Sequence, residues 1–257
     1  PLLLKPDGNG KLSKRDGDRL GFPVFAMNWI DPSKNELTIG FKEMGFVPQA
    51  FINMLAMLGW HSGEEKEIFS KDELIQLFNI ERVHKGGAKF DFEKAKWFNH
   101  EWIKHLPSSM LLTEVKSILE AHDISVSSEE QLSKVIDHVK DRCSLLSDFY
   151  TQTSYFFTSP SNIDLESILP KWNDAKHKFF DEFSNVCQSR SSFSLENVEV
   201  AFKDLATTHA IKVGELQLPL RIMLVGGKFG PGVFFIAETI GKEETVNRIK
   251  HVLARLK

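Results

Sequence analysis

The feature that most constrains the fold of this chain is a helical spacing of apolar residues, which begins at Pro48 and continues almost to the C-terminus. Pro48 suits the first turn of a helix, and Ser70, Asp91, Ser128 and Ser194 can each cap the helix that follows. At Ser70, a glutamate three positions later completes a capping box. The sequence therefore predicts a mainly α-helical protein.

The residues before Pro48 follow a different pattern. Leu2–Leu4 has the character of a strand end, and Leu37–Phe41 is a second candidate strand. Between them, the glycine- and lysine-rich residues 10–21 have neither a helical nor a strand period. This segment is predicted to be a loop.

Several helices are predicted in the second half of the chain from apolar stripes of helical period. In the first of them, Lys171–Val186, the buried face is expected to include Trp172 and Ala175. The others are Ser194–Leu205, Glu215–Val225, Val233–Ile240 and Glu243–Leu256.

The overall charge gives no sign of a nucleic-acid-binding protein, because 32 Lys and Arg stand against 35 Asp and Glu, a formal net charge of −3. Residues 211–257 differ, with eight basic and four acidic residues, a local excess of +4. Such an excess fits either a local RNA-binding face or a solvated helical surface.

Metal sites, disulfides and membrane segments all lack support in the sequence. Two cysteines, Cys143 and Cys187, are too few for a disulfide framework and fit a reduced, cytosolic compartment. No apolar run is long enough to span a membrane. The nine histidines show no metal-ligand spacing, and no zinc-protease motif, nucleophile elbow or Walker loop occurs. We therefore expect no metal site and no membrane association.

One short segment has the chemistry of a phosphate-binding loop. It places three cations and a hydroxyl within five residues between nearby glycines, in the order Lys11, Leu12, Ser13, Lys14 and Arg15. Lysine carries a compact charge on a flexible stem, which suits contact with a polyphosphate. The same composition also fits a solvated basic turn.

Lys11–Arg15 resembles the KMSKS loop of class I aminoacyl-tRNA synthetases, in the form typical of glutamyl enzymes. The similarity continues in order at residues 45–60, 68–70, 81–91, 97–99, 212–215, 219–221 and 241–244. The chain thus resembles the C-terminal part of a bacterial-type glutamyl-tRNA synthetase, from the KMSKS loop through the anticodon-binding domain. Glutaminyl enzymes share the loop but end in β-barrels, and the helical second half here argues against them.

The resemblance implies a layout in four parts. Residues 1–27 are expected to be a strand and loop remnant of the catalytic domain, and residues 28–107 a helical stem-contact region. Residues 108–190 and 191–257 are expected to be two subdomains of an all-helical anticodon-binding domain. The family's HIGH motif does not occur in the sequence, and the start without Met at Pro1 suggests a piece of a longer protein.

The activity that the resemblance implies is attachment of glutamate to its tRNA through glutamyl-adenylate, with ATP and Mg²⁺. Lys14 is the expected catalytic contact to the ATP phosphates, while Lys11 and Ser13 shape the loop and Arg15 adds charge. The implied partners are glutamate-accepting tRNA, ATP and glutamate, in a cytoplasmic monomer. This piece alone is expected to bind tRNA without catalysis; whether glutamine tRNA is also charged stays open.

A second interpretation is a non-catalytic helical RNA-binding or adaptor module that retains an ancestral ATP loop. The resemblance also implies two sets of anticodon contacts. One is Arg142, whose guanidinium fork suits a base edge, although a surface arginine fits as well. The other set is Arg221 with Gly230, Pro231 and Val233, where glycine allows close approach and the apolar residues offer stacking surface. A plain helix connector is the alternative for this segment.

Overall fold

The structure, a computed structural model, describes residues 3–6 and 10–256, without the side chains of Lys14, Arg15 and Asp18. Most of the described residues are helical, which confirms the predicted mainly α-helical fold. The α-helices described are α1 Lys14–Leu20, α2 Phe41–Met44, α3 Pro48–Met57, α4 Lys71–Leu77, α5 Phe92–His105, α6 Ser108–Glu120, α7 Glu129–Val139, α8 Asp148–Thr153, α9 Asp174–Ser189, α10 Leu195–Thr208, α11 Val213–Val225, α12 Val233–Ile240 and α13 Lys242–Arg255.

The β-strands are short and form two separate pairs. Their bounds are β1 Leu3–Leu4, β2 Trp29–Ile30, β3 Leu37–Thr38 and β4 Ala88–Lys89. Strands β1 and β4 run parallel, whereas β2 and β3 form an antiparallel hairpin. Strand β3 lies within the predicted strand Leu37–Phe41, although Phe41 already belongs to α2.

The chain divides into two compact units, Pro1–Val115 with Lys140–Phe149 and Lys116–Val139 with Tyr150–Lys257. The four-part layout drawn from the resemblance is a finer division, and its boundaries stay predictions. Among the described helices, none is long and apolar enough to cross a membrane.

The core of the first unit is built mainly from aromatic side chains. Helix α3 packs against α5, and the rings of Phe22 and Phe90 lie 4.8 Å apart between their centroids. Burial of each such side chain contributes about 1.5–3 kcal/mol. The buried members of this cluster are Phe22, Phe41, Phe46, Met54, Phe90, Ala95 and Phe98.

The second unit has its own aromatic core, in which α9 packs against α10 and α13. Phe179 and Phe183 are one turn apart on α9, and both meet Phe202 of α10 edge-on at centroid distances of 5.2 and 5.0 Å. All three side chains are fully buried. Edge-to-face packing of this kind adds to the free energy gained from area burial.

The predicted helix caps are confirmed. Ser70 Oγ accepts from the Glu73 backbone N–H at 3.2 Å, and the Glu73 carboxylate accepts from the Ser70 N–H at 2.8 Å. Asp91, Ser128 and Ser194 cap α5, α7 and α10 by accepting from the backbone N–H three positions later. Local sequence therefore decides where these helices begin.

The prediction of a loop over residues 10–21 is wrong in part, because Lys14–Leu20 forms helix α1. Ser13 and Asp16 close a capping box at its N-terminus, and Gly21 ends it in the left-handed conformation with φ of 74°. Two capping contacts thus stabilise a helix that is too short to show an apolar period.

The predicted helix Lys171–Val186 is displaced, because α9 begins at Asp174 with Asn173 as its N-cap. Trp172 is only half-buried, and Ala175 is exposed, contrary to the expected buried face. Lys176 is buried instead, with its ammonium donating to the Lys171 carbonyl at 2.7 Å. A hydrogen-bonded ammonium can occupy a site that apolar spacing assigns to a neighbour.

Candidate functional site

The basic segment near the N-terminus is organised by one carboxylate, that of Asp16. Its side chain is 8% exposed, and it accepts from the Ser13 backbone N–H at 2.9 Å and from Ser13 Oγ at 2.5 Å. Lys5 Nζ and Arg19 Nη2 lie 3.1 and 3.5 Å from Asp16 Oδ1. The two Ser13 hydrogen bonds, followed by the contact with Lys5, hold the pKa of this carboxyl well below its usual range.

The same segment is tied to the strands of the first unit. The Leu12 N–H donates to the Leu3 carbonyl at 2.8 Å, and Lys11 forms a β-bridge with Leu4. Leu12 also packs on the aromatic cluster of this unit, which leaves Lys11 exposed. The predicted contacts of Lys14 and Arg15 with ATP lie outside the described side chains.

Arg142 lies in a 3₁₀-helix, Lys140–Arg142, that follows α7 and belongs to the first unit. Its side chain is 40% exposed, and Nη1 lies 2.7 Å from Asp141 Oδ1. An arginine in this setting is accessible to a ligand, and its pairing with a neighbouring carboxylate orients the guanidinium.

The backbone around Arg142 is fixed by residues that sequence reasoning missed. Asn99 of α5 is fully buried, accepts from the Val47 N–H at 2.8 Å and donates to the carbonyls of Gly45 and Ser144 at 3.1 and 2.7 Å. The Asp148 carboxylate accepts from the Ser144 N–H at 2.8 Å. A buried asparagine that serves three backbone groups gives no spacing signal in the sequence.

Residues 226–232, which we call the rear loop, join α11 to α12 in the second unit. Arg221 of α11 reaches across its base. Nη1 lies 3.1, 2.9 and 2.6 Å from the carbonyl oxygens of Phe229, Gly230 and Pro231. The structure thus brings Arg221, Gly230 and Pro231 together, and the Arg221 Nη1 atom contacts the protein backbone.

The conformation of the rear loop requires glycine at position 230. Its φ is +97°, and a Cβ there would lie 2.7 Å from the Tyr155 hydroxyl oxygen. Pro231 and Val233 are buried, so in this structure they offer little open surface to a base. Lys228 and Phe229 are the exposed side chains of this turn.

A buried arginine supports the rear loop from the interior of the second unit. Arg248 of α13 donates to the carbonyl of Tyr155 at 2.8 Å, to that of Leu224, and to that of Thr158 at 3.2 Å. Its Nε donates to Glu244 at 2.7 Å. Burial lowers the pKa of this guanidinium, whereas the contact with Glu244 raises it. These contacts join α13 to the end of α11, from which the rear loop starts.

The two cysteines and the acidic residues of the described chain give no sign of thiol chemistry or of a metal site. Burial raises the pKa of the Cys187 thiol to about 12 and that of the Cys143 thiol further, so both thiols are unreactive at neutral pH. In the described part of the chain, no three His, Cys, Asp or Glu side chains are grouped to hold a metal ion.

Comparison with protein families divides the chain near residue 97. Residues 4–97 match the catalytic domain of class I tRNA synthetases (E and Q), and residues 96–253, more than half of the chain, match an anticodon binding domain. The chain is 40% identical over 98% of its length to glutamate–tRNA ligase of Porphyromonas gingivalis. It is 42% identical over its whole length to that of Phocaeicola vulgatus. The chain belongs to the glutamyl-tRNA synthetase family.

Solved structures of this family share the fold. The crystal structure of a glutamate tRNA ligase from Elizabethkingia meningosepticum, in complex with its amino acid, superposes with a TM-score of 0.93 at 39% identity. The chain covers 51% of that structure and 50% of the Porphyromonas protein, so it spans about half the length of the relatives. The basic loop Lys11–Arg15 falls within the catalytic-domain match, whereas Arg142 and Arg221 fall within the anticodon-domain match.

Proposed function

We propose that this chain is the tRNA-recognising half of a glutamate–tRNA ligase and binds glutamate-accepting tRNA through its anticodon. The observation that carries the proposal is the anticodon-binding domain match over residues 96–253, together with about 40% identity to glutamate–tRNA ligases along the whole chain. A braced loop that exposes a lysine and an aromatic ring supports it, since both residue types suit single-stranded RNA. The protein acts in the cytoplasm as a monomer.

The whole enzyme joins glutamate to ATP as glutamyl-adenylate and then transfers glutamate to the tRNA. In this scheme the basic loop Lys11–Arg15 meets the ATP phosphates, and Lys14 stabilises the charge on the leaving pyrophosphate. The donor set fits such a role, because Lys11 is exposed and the Asp16 contacts hold Ser13 in place. Mg²⁺ would enter with the nucleotide phosphates, as is usual for this ion.

Anticodon reading is assigned to Arg142 in the first unit and to the rear loop with Arg221, Gly230, Pro231 and Val233 in the second. Arg142 carries the larger share of specificity, because its guanidinium is exposed and can form paired hydrogen bonds with a base edge. Arg221 acts mainly through the rear loop, since its Nη1 already donates to loop carbonyls.

Binding of purified tRNA tests the proposal directly. The chain should retain glutamate tRNA in a mobility shift at moderate salt, and it should prefer it to glutamine tRNA, whose third anticodon base differs. Arg142→Gln should remove about 1–3 kcal/mol of that preference, the usual worth of one bidentate base contact.

The alternative, an RNA-binding adaptor with a retained loop, predicts binding without preference between the two tRNAs. If Arg142→Gln weakened the binding of both tRNAs equally, Arg142 would contact a phosphate and would not read a base. A wild-type chain that binds neither tRNA would contradict the proposed function altogether.

A further inference from the structure

The rear loop exposes one aromatic ring to solvent. Phe229 is 37% exposed, whereas Pro231 and Val233 on either side of Gly232 are buried. The neighbouring Lys228 is also exposed. An exposed aromatic ring next to a basic residue is the combination with which proteins bind single-stranded nucleic acid.

The ring is held in place from one side. A Cβ on Gly227 would lie 2.5 Å from Phe229 Cε1, so this ring passes directly over the glycine backbone. The Tyr155 ring flanks it at a centroid distance of 5.8 Å. A side chain larger than hydrogen at position 227 would displace the ring, and the packing restricts its rotamers in the absence of ligand.

The backbone beneath the ring is fixed as well. Arg221 Nη1 contacts the Phe229, Gly230 and Pro231 carbonyls, and Gly226 starts the loop in the left-handed conformation with φ of +82°. Because backbone and ring are already ordered, a ligand that stacks here loses little of its binding free energy to ordering the protein.

We propose that Phe229, with Lys228 beside it, forms a stacking site for one unpaired base of the bound tRNA. This inference rests on the proposed function and names the surface that the base meets. The ring provides a flat apolar face for the base, and Lys228, the preceding residue, is exposed and can neutralise a backbone phosphate. Stacking tolerates any base, so this site contributes affinity, and sequence preference arises elsewhere.

Substitutions at position 229 separate stacking from simple apolar contact. Phe229→Ala should weaken binding of glutamate tRNA by on the order of tenfold or more, the usual cost of losing one base–aromatic stack. Phe229→Tyr should bind like wild type, and Phe229→Leu should be nearly as weak as Phe229→Ala. Val200→Ala, at a residue exposed on α10 of the same unit, is the matched control and should change nothing.

A fluorescent base provides a readout that a folding defect does not imitate. An anticodon stem–loop carrying 2-aminopurine at one anticodon position in turn should show altered emission at a single position with the wild-type chain. Phe229→Ala should abolish that change even at saturating protein. Lys228→Ala should lower the slope of log affinity against log salt by about one without altering the emission.

The outcomes distinguish this site from the proposed function. If wild type binds tRNA but Phe229→Ala binds equally well, the stacking site is wrong and the function stands. If Phe229→Leu matches wild type, the contact is apolar but not stacked, which also overturns the proposal. If the wild-type chain binds no tRNA, both the stacking site and the proposed function are wrong.

Discussion

In each of two loops of this chain, one charged side chain holds the local backbone by direct hydrogen bonds, and the two charges are opposite. In the front loop, residues 10–13 ahead of helix α1, Ser13 donates hydrogen bonds to the Asp16 carboxylate, which also contacts Lys5. In the rear loop, residues 226–232, the Arg221 guanidinium donates to three backbone carbonyls. The Asp16 carboxylate accepts hydrogen bonds from nearby donors, whereas the Arg221 guanidinium donates hydrogen bonds to nearby carbonyl oxygens.

This difference determines which side chains of each loop a ligand can contact. A carboxylate brace is compatible with a cationic loop, because it satisfies local donors while Lys11 stays exposed. The Arg221 guanidinium occupies backbone carbonyl oxygens of the rear loop, while the side chains of Lys228 and Phe229 stay exposed to solvent. We therefore expect the front loop to suit a polyphosphate and the rear loop to suit an unpaired RNA base, as the proposed function requires.

The largest expected effect concerns the front loop. In the full-length ligase, Lys14→Ala should slow adenylate formation by on the order of a hundredfold, the usual cost of losing one preorganised transition-state donor. The affinity for tRNA should hardly change. Pyrophosphate exchange and filter binding measure the two quantities, with Lys71→Ala as a control at an exposed lysine of α4. If Lys14→Ala instead bound tRNA poorly and activated glutamate normally, the role assigned to Lys14 and the front loop would be wrong.

A smaller effect is expected at the brace of the rear loop. Arg221→Ala should lower the free energy of unfolding by about 1.5 kcal/mol, because hydrogen bonds from a charged donor are lost. It should weaken the binding of glutamate tRNA and of glutamine tRNA by the same factor, because the variant disorders the loop and removes no base contact. Thermal melting and paired binding curves measure both changes. A shift in the ratio of the two affinities would mean that Arg221 reads a base directly.

The smallest effect is expected at Asp16. Its folded pKa lies below its unfolded value, so its stabilisation is present above the unfolded pKa of about 3.9 and disappears as pH falls through the depressed folded value. The carboxyl should therefore remain ionised at pH 4 in a carbon-detected NMR titration. Asp16→Asn should speed amide exchange at Ser13 while the melting temperature stays almost constant. A carboxyl that titrates in its ordinary range would contradict the brace.

Sequence alone predicted the elements whose signals are local. The caps at Ser70, Asp91 and Ser194 depend on residues within three positions, and the structure confirms them. Helix α1 was missed because seven residues show no apolar stripe and its stability depends on Ser13 and Asp16.

The site depends on contacts between residues that are distant in sequence, so only part of it was predictable. The resemblance placed Arg221 next to the rear loop, but the target of its Nη1 became clear only from carbonyls eight to ten residues away. Pro231 is buried and Phe229 is exposed in the structure, and no spacing rule predicts this difference from the sequence. The expected roles of Lys14 and Arg142 stay predictions.

Amide hydrogen exchange of this chain, with and without glutamate tRNA, tests the contrast between the two loops most directly. Bound tRNA should slow exchange clearly in the rear loop, residues 226–232, and in the segment around Arg142. Exchange in the front loop and in helix α1 behind it, residues 10–21, should stay unchanged. Slower exchange in the front loop, with none in the rear loop, would contradict the division of roles between them.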